Sequence, residues 1–272
     1  MVGRGLRRVA MYGFFVSLHG MTASFREPGS HLYQATLPLP PVSALVGMAG
    51  AALGKPFEEA WPFFKDAGLF VGASGSSGGG GIDLWNYDKM ATPKGSEEIA
   101  FAKLHGLSKV VRKDILNREF LADAEFVAFY ALGDREKADC LRSAFKDPVY
   151  ALSLGSSDDI ALVREVSELC PIGDEEESDS FADTLLPGDH ADSVRFDWDA
   201  LRRACVVQTL KAPLVRPLIV DFEFKGNERH GIRYRLFTFL SGHQRLLNPQ
   251  RAFRFPNVAL PVPLYGLENE EQ

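Results

Sequence analysis

The chain has 272 residues, 46% of them hydrophobic and 24% charged, with three cysteines and a formal net charge of −6. That length can bury a sizeable core and that balance excludes a disordered chain, while charged, Gly or Pro residues interrupt every apolar run short of the roughly 20 residues that span a bilayer. Cys140, Cys170 and Cys205 are odd in number, far apart and without a CxxC pair, so neither a disulfide framework nor a zinc site is supported.

The N-terminus, MVGRGLRRVAMYGFFVSLHG, sets arginines before an apolar run as a secretory signal does. It lacks a small-residue cleavage site, and the run alternates as a strand does, which points to a cytoplasmic protein with no membrane partner. Residues 9–18 are apolar on both alternating faces, the pattern of a central strand covered on both sides. A polar loop holding Arg26 then leads through Pro38, Pro40 and Pro41 into an Ala-, Leu-, Val- and Met-rich run that closes at Gly54. Pro41 suits a first helical turn and Ser43 can bond that turn's free amides. Leu45, Val46, Ala49, Ala52 and Leu53 form one apolar stripe, with Gly47 and Gly50 admitting a close neighbour. The open helix N-terminus suits a phosphate; an ordinary buried first helix of an α/β unit has the same pattern.

Residues 56–66 predict a second helix and 68–73 a second strand. Residues 72–81 then hold six glycines, which match neither phosphate-binding glycine motif and read as a flexible hinge. From 82 to 115, Trp85, Tyr87 and Phe101 interleave with Lys89, Lys94, Lys103, Lys109, Arg112 and Lys113. Single-stranded nucleic acid needs that mixture, because base faces stack and phosphates require counter-charge. A surface hairpin packed on its parent domain has the same composition. Residues 117–131 predict a long strand, 134–146 a helix with Ala138, Leu141 and Phe145 inward, and 149–154 a short fourth strand. Without the insertion at 74–115, the order is strand, helix, strand, strand, helix, strand, an α+β fold of ferredoxin-like type.

The run SSDDIALVREVSEL that follows fits a strand or a short helix. The division expected is a ferredoxin-like domain over 1–170, an acidic linker over 171–196 and a C-terminal β-rich region over 197–272. In that last region, 206–224 and 232–240 alternate like an antiparallel pair, with Arg233 and Arg235 on one face. Charge is segregated: ten carboxylates against Arg195 from 174 to 199, five Lys/Arg against Asp114 from 103 to 118, and seven against Glu228 from 225 to 254. Local patches rather than the total set the field a polyanion meets, so the negative sum does not exclude RNA.

Four stretches, SFREP, LPLPPVSALVGMAGAALG, NREFLADAEFVAFY and DPVYALSLGSSDDIA, resemble in content and order the signature stretches of the fifth CRISPR-associated (Cas) family, the RAMP-type subunit of Cascade, over about residues 9–160. The resemblance implies a non-catalytic subunit of a type I CRISPR surveillance complex that grips and caps the 5′ handle of the crRNA. It also implies a thumb within 74–115 that enters the RNA, neighbouring backbone and large subunits, and target DNA met only indirectly. No cofactor or metal is implied. Carried over, Ser24, Phe25, Arg26 and Ser43, with the loop Gly155, Ser156 and Ser157, face the handle, and Lys89, Lys103, Lys109, Arg112 and Lys113 lie on the thumb. Arg26 can pair bidentately with a phosphate or base edge, and Gly155 can let backbone approach RNA. Ser43 as a helix cap, Gly155 as a turn and Phe25 as core are equally ordinary roles.

The alternative is an enzyme. Relatives of the I-C subtype, which this chain is similar to, cut precursor RNA without metal, using a tyrosine shortly before the first helix and an adjacent lysine–histidine pair. That tyrosine's place falls near Leu37, four residues beyond Tyr33, and Lys103 and His105 are split by Leu104, facing together only if they lie on a strand. Metal-free cleavage needs a base and a cation within hydrogen-bond reach, so the alternative requires Tyr33, Lys103 and His105 to meet. A purely structural, protein-binding subunit fits all but the basic stretches.

Overall fold

The computed structural model describes residues 11–30, 33–173, 176–195, 212–226 and 228–267. β1 (Met11–Ala23) lies inside a sheet because both of its faces are apolar, and it is followed by the short strands β2 (Phe25–Arg26), β3 (Tyr33–Gln34) and β4 (Thr36–Leu37). Next come α1 (Val42–Ala52), α2 (Phe57–Asp66), β5 (Phe70–Ala91), α3 (Gly95–Leu104), β6 (Val110–Leu132), α4 (Arg135–Lys146) and β7 (Leu162–Val166). The core sheet runs β5-β6-β1-β7 with every neighbour antiparallel. With α1 joining the first strand to the second and α4 the third to the fourth, this is the ferredoxin-like split βαβ arrangement. Among the described residues no helix is long and apolar enough to cross a membrane.

Alternation along β1 builds two cores. Phe14, Val16 and Leu18 point to the helix side, where Phe14 stacks on Tyr130 at 5.5 Å and the Tyr130 hydroxyl donates to the Leu45 carbonyl of α1 at 3.0 Å. Met11 and Phe15 point the other way and pack with Phe129, Ile172, Phe253, Phe255 and Val262. α1 is buried on nearly every side, including the expected Leu45, Val46, Ala49 and Ala52, because the sheet, α2, α4 and a later hairpin all pack on it.

The structure corrects four expectations. The glycine tract is no hinge: it lies in β5, paired with β6 from Phe70↔Ala131 to Ala91↔Val110, with Gly78 alone of the tract's glycines outside the register. At Gly75, with φ +132°, a Cβ would sit 2.2 Å from the Glu125 carbonyl oxygen, so glycine there permits close approach rather than motion. Second, residues 149–154 are not the fourth strand; Val149 and Tyr150 donate their amides to the Ala52 and Ala51 carbonyls at the end of α1, and β7 takes the sheet position instead. Third, Ser43 does not cap α1: the N-cap is Pro41 and no side chain bonds the first turn.

Fourth, the described part of 171–196 is folded rather than a linker. It contributes to β8 (Cys170–Ile172), β9 (Glu176–Ala182), β10 (Leu185–Pro187) and β11 (Val194–Arg195), and buries Phe181, Leu185 and Leu186. Two of its carboxylates pair with arginines: Glu176 with Arg254 at 2.6 Å and Asp179 with Arg245 at 2.7 Å. Acidic β9 lies beside basic β14 (His243–Ala252), so part of the second basic run is neutralised internally.

β12 (Leu214–Lys225) and β13 (Glu228–Phe239) form the expected antiparallel pair; residues 206–211 of the predicted first strand, and Cys205, lie outside the described residues. β12 and β13 do not stand apart from the first 170 residues. Leu218, Val220, Phe222, Phe237 and Phe239 enter the same core as α1, and β15 (Tyr265–Gly266) extends the main sheet beside β5.

Candidate nucleic-acid interface

Five of the residues assigned to RNA from the sequence, Ser24, Arg26, Ser43, Gly155 and Ser156, line one open cleft of about 580 Å³. They come from three separated segments: Ser24 with β2, the first turn of α1, and the loop after α4. The cleft is completed by Trp85, Arg118 and Glu119 at the root of the long β5–β6 arm and by Arg229 from β13.

The segments divide the work. Arg26 is exposed, and its one hydrogen bond among the described residues is a long one, Nη2 to the Ser30 carbonyl at 3.4 Å, so its guanidinium can take a new acceptor. At α1, Ala44 and Leu45 donate to the Pro41 carbonyl, while the amides of Val42 and Ser43, ahead of the first helical bond, form the partial positive end of the helix. Arg229 sits 4.5 Å over the Phe57 ring. Its hairpin is held on α2 by Asp221, which accepts from Lys65 Nζ at 2.8 Å and Trp61 Nε1 at 3.2 Å. Burial pushes the Asp221 carboxyl up, but these bonds outweigh it and hold the group below its ordinary value.

Ser24, Gly155 and Ser156 act on the cleft through its wall. The Ser24 hydroxyl donates to buried Asp159, which also accepts from Thr22 Oγ1 at 2.5 Å. Gly155 has φ +104°, and a Cβ there would lie 2.0 Å from the Ser24 carbonyl oxygen, so the protein's own backbone requires glycine there. Ser156 Oγ accepts from Arg118 Nη1 at 3.3 Å. Phe25 is core, edge-on to Phe126 at 5.7 Å.

Arg118 joins the wall to the arm. Its guanidinium, nine-tenths buried, makes a bidentate pair with Asp158 at 3.1 and 2.9 Å, and lies 4.4 Å over the Trp85 ring. The Arg118 hydrogen bond holds the Asp158 carboxyl well below the usual carboxylate range, and the same bond raises Arg118. Arg118 Nε is buried without an acceptor.

On the arm, ladder register sorts the other five predicted residues. Lys89 and Arg112 are partners and share the face of Trp85 and Tyr87. Arg112 pairs with Glu98 of α3, and Lys89 Nζ lies 3.7 Å from Asp114. Lys113 projects from the opposite face with exposed Ile82, Leu84, Met90, Val111 and Ile115. Lys103 and Lys109 are exposed around α3 at the tip.

The alternative catalytic trio does not form. Lys103 and His105 are at the end of a helix, not on a strand, with the His105 ring 4.5 Å from Phe101. Tyr33 lies at the arm's root beside Asn117, seven ladder positions or roughly 20 Å from Val110. Its hydroxyl donates to Glu119 Oε1 at 2.5 Å, a bond that raises the Tyr33 pKa, and Glu119 Oε2 accepts the Thr36 amide. The pair pins the loop before α1 to β6.

Sequence reasoning singled out Trp85 but not Arg118, Asp158 or Arg229. Arg118 and Asp158 stand inside the NREF and SSDD stretches, a usable signal; Arg229 is brought in by a hairpin some 200 residues from Arg26, and no local pattern marks it.

Comparison of the sequence with protein-family models gives no match, and none is found among curated proteins. Solved structures do resemble the chain. One described as a CRISPR RNA-guided surveillance complex is 18% identical, with TM-score 0.45 over 88% of this chain and 90% of that one. A CRISPR protein from Archaeoglobus fulgidus is 13% identical, with TM-score 0.49 over 92% of this chain and 98% of the other. A Cas protein is 16% identical, with TM-score 0.38 over 87% and 95%.

Proposed function

We propose that the cleft holds single-stranded RNA and that the protein is the crRNA 5′-handle-binding, capping subunit of a type I CRISPR surveillance complex, beside a backbone subunit and a large subunit. The observation that carries this reading is the convergence of Ser24, Arg26, Ser43, Gly155 and Ser156 on one cleft, since the resemblance in sequence assigns them to the handle and nothing local forces three distant segments together. Arg26 and Arg229 supply positive charge to the cleft, the first turn of α1 supplies amides for a phosphate, and Trp85 supplies an aromatic surface. Ser24, Gly155 and Ser156 keep the wall in place. The apolar face of the arm, exposed at Leu84 and Ile115, is the kind of surface a neighbouring subunit covers.

The test is binding of a labelled CRISPR repeat RNA against an unrelated single strand of equal length, titrated with salt. The expected result is tighter binding of the repeat and a fall in affinity with salt, because each phosphate neutralised releases a counterion. Equal affinity for both strands, or binding indifferent to salt, refutes the assignment.

A further inference from the structure

The root of the arm contains a structure more specific than a basic patch. Trp85 is 37% exposed and lines the cleft, yet one face of its indole is already covered by Arg118. The covering guanidinium cannot swing away freely, because Asp158 grips two of its nitrogens and Ser156 a third hydrogen. Tyr87, two residues along the same face, brings its ring to 5.9 Å from that of Trp85 at an interplanar angle of 41°. A buried, doubly anchored cation behind an exposed aromatic ring is a preorganised stacking surface: the cation packed on one face leaves the ring less rotamer freedom to lose when something settles on the other.

We infer that Trp85 is a stacking platform for one unpaired nucleobase, clamped from behind by Arg118, and that this platform makes the cleft select single-stranded RNA over duplex. The inference rests on reading the cleft as an RNA site. Its chemistry is simple: a base lying on the open part of the indole completes a sandwich of guanidinium, indole and base, and the phosphates on either side lie toward Arg26 and the first turn of α1. A base held in a duplex has both faces occupied by its neighbours and cannot enter. Every base has a π face, so the platform fixes strandedness and register rather than the identity of the nucleotide. Arg118 and Asp158 are positioning residues in this scheme, because they act through Trp85.

The experiment uses the full chain, the repeat RNA, a set of the same RNA with one abasic nucleotide at each handle position, and the pre-annealed duplex. Stacking of one base on an aromatic side chain is worth roughly a 5- to 150-fold change in affinity. Trp85→Ala is expected to weaken binding by about that factor, with Trp85→Phe recovering most of it and thermal midpoints unchanged in both. One abasic position should weaken the wild type by a similar factor and leave Trp85→Ala indifferent, and the duplex should bind wild type more weakly than the single strand. If every abasic position weakens Trp85→Ala as much as wild type, or if Trp85→Ala binds normally, the platform is overturned while the cleft reading stands. If the wild type does not bind the repeat RNA at all, both fall. Arg118→Lys separates positioning from charge: loss of the abasic signature with the salt slope retained supports the clamp, and retention of the signature refutes it.

Discussion

Replacing Gly155 by alanine tests whether this glycine serves the protein's own backbone. With φ at +104°, the residue occupies a region that costs an L side chain about 1–3 kcal/mol. The added Cβ would also meet the Ser24 carbonyl oxygen at 2.0 Å, where ordinary contact begins at about 3.4 Å, so loop and strand must part by more than an ångström. Parting loosens the 2.9 Å bond from the Ser24 amide to the Leu154 carbonyl and the Ser24 hydroxyl bond to Asp159, worth about 1 kcal/mol for the neutral bond and roughly 1.5–3 for the one to a carboxylate. Together these give a destabilisation of about 3.5–7 kcal/mol, large beside the 5–15 kcal/mol of a typical domain, or a fall of about 7–28 °C in thermal midpoint. Urea unfolding of the purified variant, followed by far-UV circular dichroism, measures it. Gly29→Ala is the control, because nothing lies within 4 Å of a Cβ there, and it should change stability by less than about 1 kcal/mol. A Gly155→Ala variant as stable as that control refutes the steric account.

Arg26→Ala should lower affinity for the repeat RNA about tenfold, from loss of a charge-assisted contact, without moving the thermal midpoint; unchanged affinity in a filter-binding titration removes Arg26 from the site. Asp158, depressed by Arg118, contributes stability that is present above about pH 4, the unfolded-state value, and is lost as pH falls through the lower folded-state value. Acidification from pH 5 to pH 2 should therefore cost the wild type more than Asp158→Asn, and equal losses in calorimetry would contradict the pairing. Leu84→Ser combined with Ile115→Ser, both on the arm's exposed face, should raise the solubility limit of the isolated chain at constant midpoint; a lowered midpoint would mean that these side chains are packed after all.

Much of the fold is legible in the chain because its signals are local. The period-2 and period-3.6 patterns of β1, α1, β6 and α4, with the prolines before α1, point to a split βαβ unit, since burying an alternating strand or an apolar helical stripe leaves few arrangements. They do not point to its fourth strand, which is β7 rather than 149–154. The interleaved aromatic and basic residues of 82–115 likewise mark an insertion suited to a single strand of nucleic acid, whereas its second, apolar face emerges only from the ladder register. What composition misreads is wherever distant partners decide. Glycines at 72–81 read as flexible until β6 pairs with five of the six, and the acidic run reads as a solvated linker until it folds into strands and Arg245 and Arg254 pair with two of its carboxylates. Tyr33, Lys103 and His105 look combinable until the arm's length separates them. The cleft itself belongs to the tertiary structure alone: Arg26, Ser43, Gly155, Trp85 and Arg229 meet only because antiparallel register and the docking of β12–β13 on α2 bring them there. Those are long-range contacts, whose energies are spread over the whole core and leave no periodicity in any one stretch of sequence.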